Sequence, residues 1–425
     1  MSAREGKRPT VLVLGIGPFA HSTAAILGEC GAIVATYLTR DYAHYGPGLV
    51  GATYTKAEYP SPVPLVAKLG VDLVIPQSID WMLQEWTQDL LASGVAIFSP
   101  VDEGMRIERE RDFARELCER FGIAFPRSFV ARDRSEAEAL LAAHRVPFVI
   151  KNPLCRPSSP IHTIVCGSIE ETAAWLPHLN YSEGVFLQEY AGAREVGHIA
   201  LVSEGEVRSM VTNQEYKRAH DNNTGLVAGA PLGGLVERDE ADRYGLAREL
   251  LSPLAPWFRE VNFHGPIQVT AALKDGRWSV LEYNVRIGVT SGAMMLRMLE
   301  NPFEVLHATA RNARLAPLWK SGPNCGCSVT LASYGYPFTQ VTPPAMPIAF
   351  RGGKTVGAGD CWWGEVERRG DSLMAVGHRV ADVIGFGSDM AEAIEAAYSR
   401  AREIIVPGGY CRTDIGKSLW PPGSE

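Results

Sequence analysis

A chain of 425 residues exceeds one core of ordinary size and asks for two or three domains. Apolar residues make up 46% and charged residues 21%, which suits a globular protein with a large core, and a formal net charge of -7 argues against a nucleic-acid binder, which would carry a basic excess. The eight cysteines form no disulfide framework, Cys325-Gly326-Cys327 lacks the second pair of a structural zinc site, and no leader-like or membrane-length apolar run occurs, so a cytoplasmic protein is expected.

Thr10 to Leu14 is an apolar strand, and Gly15-Ile16-Gly17-Pro18-Phe19-Ala20-His21 opens an Ala-rich helix through Cys30. Strand, glycine turn and helix make the first unit of a doubly wound α/β fold, with a helix N-terminus open to an anion. A dinucleotide fingerprint wants a third glycine near position 20, where Ala20 stands, so the cofactor signal is weak. Strands at Ile33 to Tyr37, Leu73 to Pro76 and Val95 to Phe98, separated by helical stretches such as Ile79 to Ala92, continue a parallel sheet.

From Asp102 to Phe121 the pattern predicts a charged amphipathic helix with Met105, Ile107, Phe113 and Leu117 inward. A small α+β subdomain follows: a Ser135-x-x-Glu138 capping box, a strand Val146 to Lys151, a Ser168-x-x-Glu171 capping box and a strand Val185 to Tyr190. Lys151 ends an apolar strand, an expensive place for an ammonium without an anionic partner; a lysine that snorkels to water is the plainer reading. Asn152 to Thr163 is polar and prolyl where a phosphate-covering loop is usually Gly-rich.

Gln188-Glu189-Tyr190-Ala191, with Glu195 beyond it, suits a nucleotide hinge whose carboxylate meets ribose hydroxyls, or equally a surface turn. Asn213 to Gly225 is the most polar run, with Lys217 and Arg218 adjacent; it fits a solvated loop or a loop lining a polar site. A helix from Asp239 to Val261 then feeds a hairpin. Its strands, Pro266 to Leu273 and Val280 to Gly288, flank the Asp-Gly turn Lys274-Asp275-Gly276-Arg277. Strand alternation puts Glu282, Asn284 and Arg286 on one face and Leu281, Tyr283 and Val285 on the other. A carboxylate and an amide oxygen two positions apart suit a hard cation such as Mg²⁺, and the arginine suits charge on a transferring phosphoryl group. Alone, such a strand would default to a solvated edge; its apolar opposite face and flanks favour function.

Ser291 to Leu315 reads as helical, interrupted at Pro302. A closing α+β domain follows, with a strand in Asn324 to Tyr334, short strands near Thr355 and at Arg379 to Gly385, a helix Asp389 to Ile405 and a tail Cys411 to Leu419.

Together these residues resemble the phosphoribosylamine-glycine ligases of the ATP-grasp superfamily. The motifs run in order along nearly the whole chain: Gly15-x-Gly17 with His21, Ile97-Phe98-Ser99-Pro100, Val149-Ile150-Lys151, Gln188-Glu189-Tyr190 with Glu195, Gln214-Glu215-Tyr216-Lys217-Arg218 with Asp221, Leu281 to Gly288, Gly335-Tyr336-Pro337, Gly377-His378 and Cys411-Arg412-x-Asp414-Ile415-Gly416. The resemblance implies an α/β and α+β architecture: a Rossmann-like pre-ATP-grasp domain over 1–104, an ATP-grasp domain over 105–318 with a lid at about 124–192, and a C-terminal α+β domain over 319–425. It also implies that a carboxylate is phosphorylated by ATP and the acyl phosphate is attacked by an amine. Carried over, Glu282 and Asn284 hold Mg²⁺ or Mn²⁺. Arg111, Lys151, Gln188, Glu189, Tyr190, Ala191 and Glu195 bind ATP, while Arg286, Lys217 and Arg218 serve the transfer. Gly17, His21, Gln214, Asp221 and Ser291 meet the small-molecule carboxylate and amine. A homodimer, without nucleic acid or membrane partners, completes the picture.

The departures bear on substrate. The family's Gly-Arg-Glu-His stands here as Pro18-Phe19-Ala20-His21, its Gly-Lys-Gly loop as the longer Arg156-Pro157-Ser158-Ser159 segment, an ATP lysine as Arg111, its Asp-Pro-Glu as Val289-Thr290-Ser291, and its Gly-Pro-Glu as Pro76-Gln77-Ser78. The nucleotide and metal positions are mostly kept and the substrate positions changed, so the expectation is a carboxylate-amine ligase of a specialised biosynthetic pathway. The alternatives are the purine-pathway phosphoribosylamine-glycine ligase and a non-catalytic nucleotide-binding protein. An NAD-dependent oxidoreductase is disfavoured because Asp41 comes late for the ribose acid.

Overall fold

The structure, a computed structural model, describes residues 7–40, 46–155, 163–192, 195–274, 276–333, 335–337, 341, 344–353, 359 and 361–417; the expected strand near Thr355 and the Arg156 to Ser159 segment lie outside them. The first apolar run becomes the central strand Thr10–Gly15 of a five-stranded parallel sheet. Ile33–Leu38 and then Ala52–Tyr54 lie on one side, Leu73–Pro76 and then Ala96–Ile97 on the other. Helix Gly17–Glu29 follows the central strand. Gln77 closes the turn between them: its Oε1 accepts from the Ile16 N–H at 2.8 Å, and a Cβ on Gly15 would meet that oxygen at 2.8 Å.

Three predicted helices are broken. Ile79 to Ala92 is a 3₁₀ turn Ile79–Leu83 followed by a helix Thr87–Ala92. The Asp102 to Phe121 helix divides at Glu110, which is extended. There the chain at 152–155 inserts: the Arg111 N–H donates to Pro153 O at 3.1 Å and the Cys155 N–H to Arg109 O at 2.8 Å. Two backbone bonds thus compensate the interruption and bring Arg111 beside the Lys151 strand. The Asp239 to Val261 helix reduces to Leu246–Leu250, a 3₁₀ turn Ser252–Leu254 and Ala255–Glu260, because Pro253 and Pro256 cannot continue a helix from the preceding turn.

The lid segment is a four-stranded sheet ordered Ser128–Ala131, Val185–Glu189, Phe148–Lys151, Ile164–Val165, backed by helices Arg134–His144 and Ile169–Trp175. Ser168 caps the second helix as predicted, accepting from the Glu171 N–H at 3.1 Å. The first is capped by Asp133 rather than Ser135, with Glu136 N–H to Asp133 Oδ1 at 2.9 Å.

A nine-stranded sheet forms the centre, in the order Arg277–Asn284, Gly265–Lys274, Glu195–Ser203, Glu206–Glu215, Gly233–Arg238, Cys325–Ser333, Arg379–Gly387, Cys361–Trp363, with Gly409–Tyr410 also paired to Cys325–Ser333. It runs without interruption from the middle of the sequence into its last third through the Gly233–Arg238 and Cys325–Ser333 pair. Helix Met390–Glu403, capped by Asp389, packs on the late strands. No described helix is long and apolar enough to cross a membrane, and all eight cysteines are free thiols.

The predicted hairpin forms, with one irregularity that the alternation pattern does not contain. Glu282 pairs with Thr270 but Val280 with Ala271, so Leu281 is the extra residue of a β-bulge. Tyr283 and Val285 still turn into the core, where the Tyr283 hydroxyl donates to Leu250 O at 2.9 Å.

Candidate active site

A cavity of about 1040 Å³ lies between the lid sheet, the Glu282 face of the hairpin and the end of the Leu73–Pro76 strand. Lys151 reaches it from the last position of its lid strand and is only 5% exposed, so it does not snorkel to bulk water. Its Nζ donates to Gln188 Oε1 at 2.9 Å and to the Leu281 carbonyl at 3.1 Å. Both acceptors are neutral, and among the described residues no carboxylate lies within ion-pair distance of this ammonium. Burial, with Arg111 nearby, lowers its pKa to about 8. The Leu281 carbonyl also accepts from Gln188 Nε2 at 3.3 Å. The bulge therefore hands a strand carbonyl to the lid.

Opposite the lid, Glu282 accepts from Lys217 Nζ at 3.1 Å and faces Arg111 Nη1 at 3.8 Å. The cation of Lys217, opposed by burial and reinforced by Lys151 and Arg111, holds this carboxyl well below the usual carboxylate range. Lys217 also pairs with Glu195 at 3.4 Å; burial works against its charge, but Glu282 and Glu195 together raise its pKa. Asn284 lies two positions on, its Oδ1 accepting from Arg286 Nη2 at 3.1 Å. Arg286 is anchored from behind by Glu108, with Nε to Oε1 at 3.1 Å, and the other Glu108 oxygen accepts the Val285 N–H at 2.6 Å. Burial pushes the Glu108 pKa up against the pull of Arg286.

Twelve of the predicted residues therefore line one cavity: Arg111, Lys151, Gln188, Tyr190, Ala191, Glu195, Gln214, Lys217, Arg218, Glu282, Asn284 and Arg286. Glu189 is on the opposite face of its strand, paired with Arg127 at 2.9 Å and Lys274 at 3.4 Å. Ser291 stands just behind the wall, donating to Glu215 at 3.3 Å. Asp221 accepts from the Thr413 N–H at 2.8 Å and from its hydroxyl, facing the chain's tail rather than the cavity. Gly17 and His21 lie in the first helix and do not line it; His21 is 1% exposed, and burial lowers its pKa to about 3.

Sequence reasoning missed Glu108, Glu215 and Gln268. Gln268 is 3% exposed, faces Asn284 across the hairpin and lines the cavity, yet makes no side-chain hydrogen bond among the described residues. A Cβ on Gly288 would meet Ser291 Oγ at 2.4 Å, Glu215 Oε1 at 3.3 Å and Gln268 Oε1 at 3.5 Å, so these three polar ends converge at that glycine. Glu108 was hidden in the run of charges from 106 to 112, where no spacing marks the one that turns inward.

Among the described residues the lining holds five cations, Arg111, Lys151, Lys217, Arg218 and Arg286, against six carboxylates, Asp80, Glu108, Glu171, Glu195, Glu215 and Glu282. With no cationic excess among these residues, a divalent ion accompanying a polyanion would ease its entry. Glu282 and Asn284 offer hard oxygen donors side by side on the wall, the donor set that a divalent ion shared with phosphates takes.

The family description "Phosphoribosylglycinamide synthetase, C domain" matches residues 326–418. A phosphoribosylamine-glycine ligase of Streptomyces coelicolor is 27% identical over 427 residues, covering 95% of this chain and 98% of that protein. One of Mycobacterium tuberculosis is 26% identical, covering 96% and 97%. Among solved structures, a phosphoribosylamine-glycine ligase from Thermotoga maritima matches with a TM-score of 0.76 at 21% identity over 96% of this chain and all of that one, and a biotin carboxylase from Campylobacter jejuni with a TM-score of 0.68 at 11% identity over 95% and 93%. The chain has the ATP-grasp fold and resembles the phosphoribosylamine-glycine ligases along nearly its whole length.

Proposed function

We propose that the protein is an ADP-forming ligase that couples ATP to amide formation between a carboxylate and an amine, through an acyl phosphate. The observation that carries this reading is Lys151, a buried ammonium whose hydrogen-bond partners among the described residues are neutral oxygens, at the wall of a cavity that already contains Arg111, Lys217 and Arg286. A folded protein keeps such a charge where an anion will meet it. Glu282 and Asn284 would hold Mg²⁺ or Mn²⁺, which when bound supplies Lewis-acid charge to the phosphoryl oxygens. Lys151 and Arg111 neutralise the phosphates. Lys217, steadied between Glu282 and Glu195, and Arg286, steadied by Glu108, present fixed cations where charge builds on the transferring group. The Glu189 and Tyr190 N–H groups are already bonded to the Arg127 and Pro147 carbonyls. Base recognition at the hinge therefore falls to Ala191 and to carbonyl oxygens. The division at 104 and 318 and a homodimer belong to the same reading, the second checked by light scattering.

The named relatives favour phosphoribosylamine and glycine, the purine-pathway alternative, over the specialised pathway that the changed substrate residues suggest. A second reading keeps its footing in one place: Phe19, which stands where the family has arginine, is 1% exposed in an apolar cluster, and Val289 rather than a carboxylate lines the cavity. The test is ADP release with phosphoribosylamine and glycine beside a carboxylate screen that traps acyl phosphates with hydroxylamine. Turnover of the first pair at kcat/KM of about 10⁴ M⁻¹s⁻¹ or more supports the purine reading. A hydroxamate from another acid alone supports the second. No ADP release with any pair overturns the ligase reading.

A further inference from the structure

The polar run that borders the cavity is held from outside by the end of the chain. Arg412 is 1% exposed and lies inside a network that ties residues 411–416 to residues 214–223. Its Nη1 donates to the Arg218 carbonyl at 2.8 Å and its Nη2 to Asn223 Oδ1 at 3.0 Å, while Nε and Nη2 grip Asp414 at 2.8 and 2.7 Å. Asp414 in turn accepts the Asn222 N–H at 2.9 Å. Thr413 is held by Asp221, and the Gly416 N–H donates to the Tyr216 hydroxyl at 2.9 Å. The Arg412 guanidinium stands 5.0 Å over the Tyr216 ring.

Two features make this more than an anchored terminus. The gripped segment supplies Gln214, Tyr216, Arg218, Asn222 and Asn223 to the cavity wall. Asn222 and Asn223 also sit consecutively in the left-handed region, at φ 56° and 53°. Asparagine tolerates that conformation better than most non-glycine residues, but two in succession are uncommon and ask for surroundings that hold them. Here the tail contributes much of that determination, because it bonds the backbone of 222 and the side chain of 223.

We propose that residues 411–416 are a working part of the site. Arg412 is a positioning residue that fixes the 218–223 loop and thereby the approach of the Arg218 side chain to a bound nucleotide; this rests on the ATP reading above. The structure assigns the role to Arg412 because its one guanidinium touches the Arg218 backbone, the strained loop and the Asp414 that holds it.

The experiment uses the full chain and MgATP as probe, with calorimetric titration for affinity and hydrogen exchange of the peptide spanning 218–224. Arg412→Ala should speed exchange in that peptide and lower MgATP affinity about tenfold or more, the scale of one charge-assisted contact. Arg218→Ala should lose a similar amount, and the double variant no more than the worse single one, because both act through one contact. Asp221→Ala, which removes the Thr413 contacts and the carboxyl beside Asp414 but leaves the Arg412 guanidinium in place, gives a milder form of the same effect should Arg412→Ala fail to fold. Unchanged loop exchange overturns the proposal, as do faster exchange at unchanged MgATP affinity, no loss in Arg218→Ala, and losses that multiply in the double variant. Failure of the unaltered chain to bind MgATP overturns the nucleotide reading itself, and is told apart because no variant is then needed.

Discussion

Burial lowers the Lys151 ammonium to about pH 8, and a phosphate placed against it would raise that value again. The sign follows. Below 8 the free protein already carries the charge; above 8 it has lost the proton and must take one up when nucleotide binds. MgATP affinity should therefore be flat below pH 8 and fall with rising pH above it, by up to about tenfold per unit, with proton uptake visible as a buffer-dependent binding enthalpy. The same depressed pKa costs the fold stability below pH 8, a cost that fades as pH climbs toward the unfolded value. Lys151→Met should abolish the pH dependence, and its persistence in that variant would assign it to another group. Glu282 makes a different demand. Its carboxyl stays ionised at any working pH, beside Lys217, so Glu282→Gln removes charge from the proposed metal site without changing shape. Turnover should drop by about a hundredfold or more, with a higher Mg²⁺ requirement, since a charged ligand supplies several kcal/mol. Unchanged Mg²⁺ dependence would remove Glu282 from the metal site.

At the scale of elements, strand alternation located Glu282, Asn284 and Arg286 on one wall, because two-residue periodicity survives in a half-buried hairpin. The bulge at Leu281 was not legible, since no residue type marks it, and it is the bulge that gives Lys151 and Gln188 a carbonyl to meet. Helix breaks at Pro253 and Pro256 could have been read from the sequence; the break at Glu110 could not, because a distant segment supplies its compensating bonds. A row of the central sheet shows the same limit. Glu282, Thr270, Gly197 and Asn213 are register neighbours, and the Thr270 hydroxyl and both polar atoms of the Asn213 amide are buried without a hydrogen-bond partner among the described residues. Gly197 makes room: a Cβ there would stand 2.5 Å from Asn213 Oδ1. Gly197→Ala should cost about 1–3 kcal/mol by overpacking, read from the urea midpoint. Adding Asn213→Ala should recover part of it, and purely additive losses would place the clash elsewhere.

For the whole molecule, the polar links between lid and hairpin among the described residues are the Leu281 carbonyl, taken by Lys151 and Gln188, the Val280 N–H, donated to Ala124 O, and Glu189, shared by Arg127 of the lid and Lys274 of the hairpin. A nucleotide seated between them would add contacts to both sides at once, and so bind the native arrangement but not the unfolded chain. Linkage then sets the size of the effect: at a hundred times Kd, MgATP should stabilise the protein by about 2.7 kcal/mol, seen as a rise in melting temperature that grows with ligand concentration. Magnesium is required for most of it. With five cations facing six carboxylates among the described lining residues, ATP alone adds anionic charge to a wall without cationic excess there. Chelation should therefore remove most of the shift, whereas magnesium without nucleotide should produce little. NAD, whose reading rested on Gly15-x-Gly17, should leave the melting temperature unmoved, since Gly17 lies outside the cavity wall and the turn at Gly15 is filled by Gln77. A shift with NAD that ATP and magnesium do not reproduce would return the first helix to the centre of the function and empty the Lys151 cavity of its role.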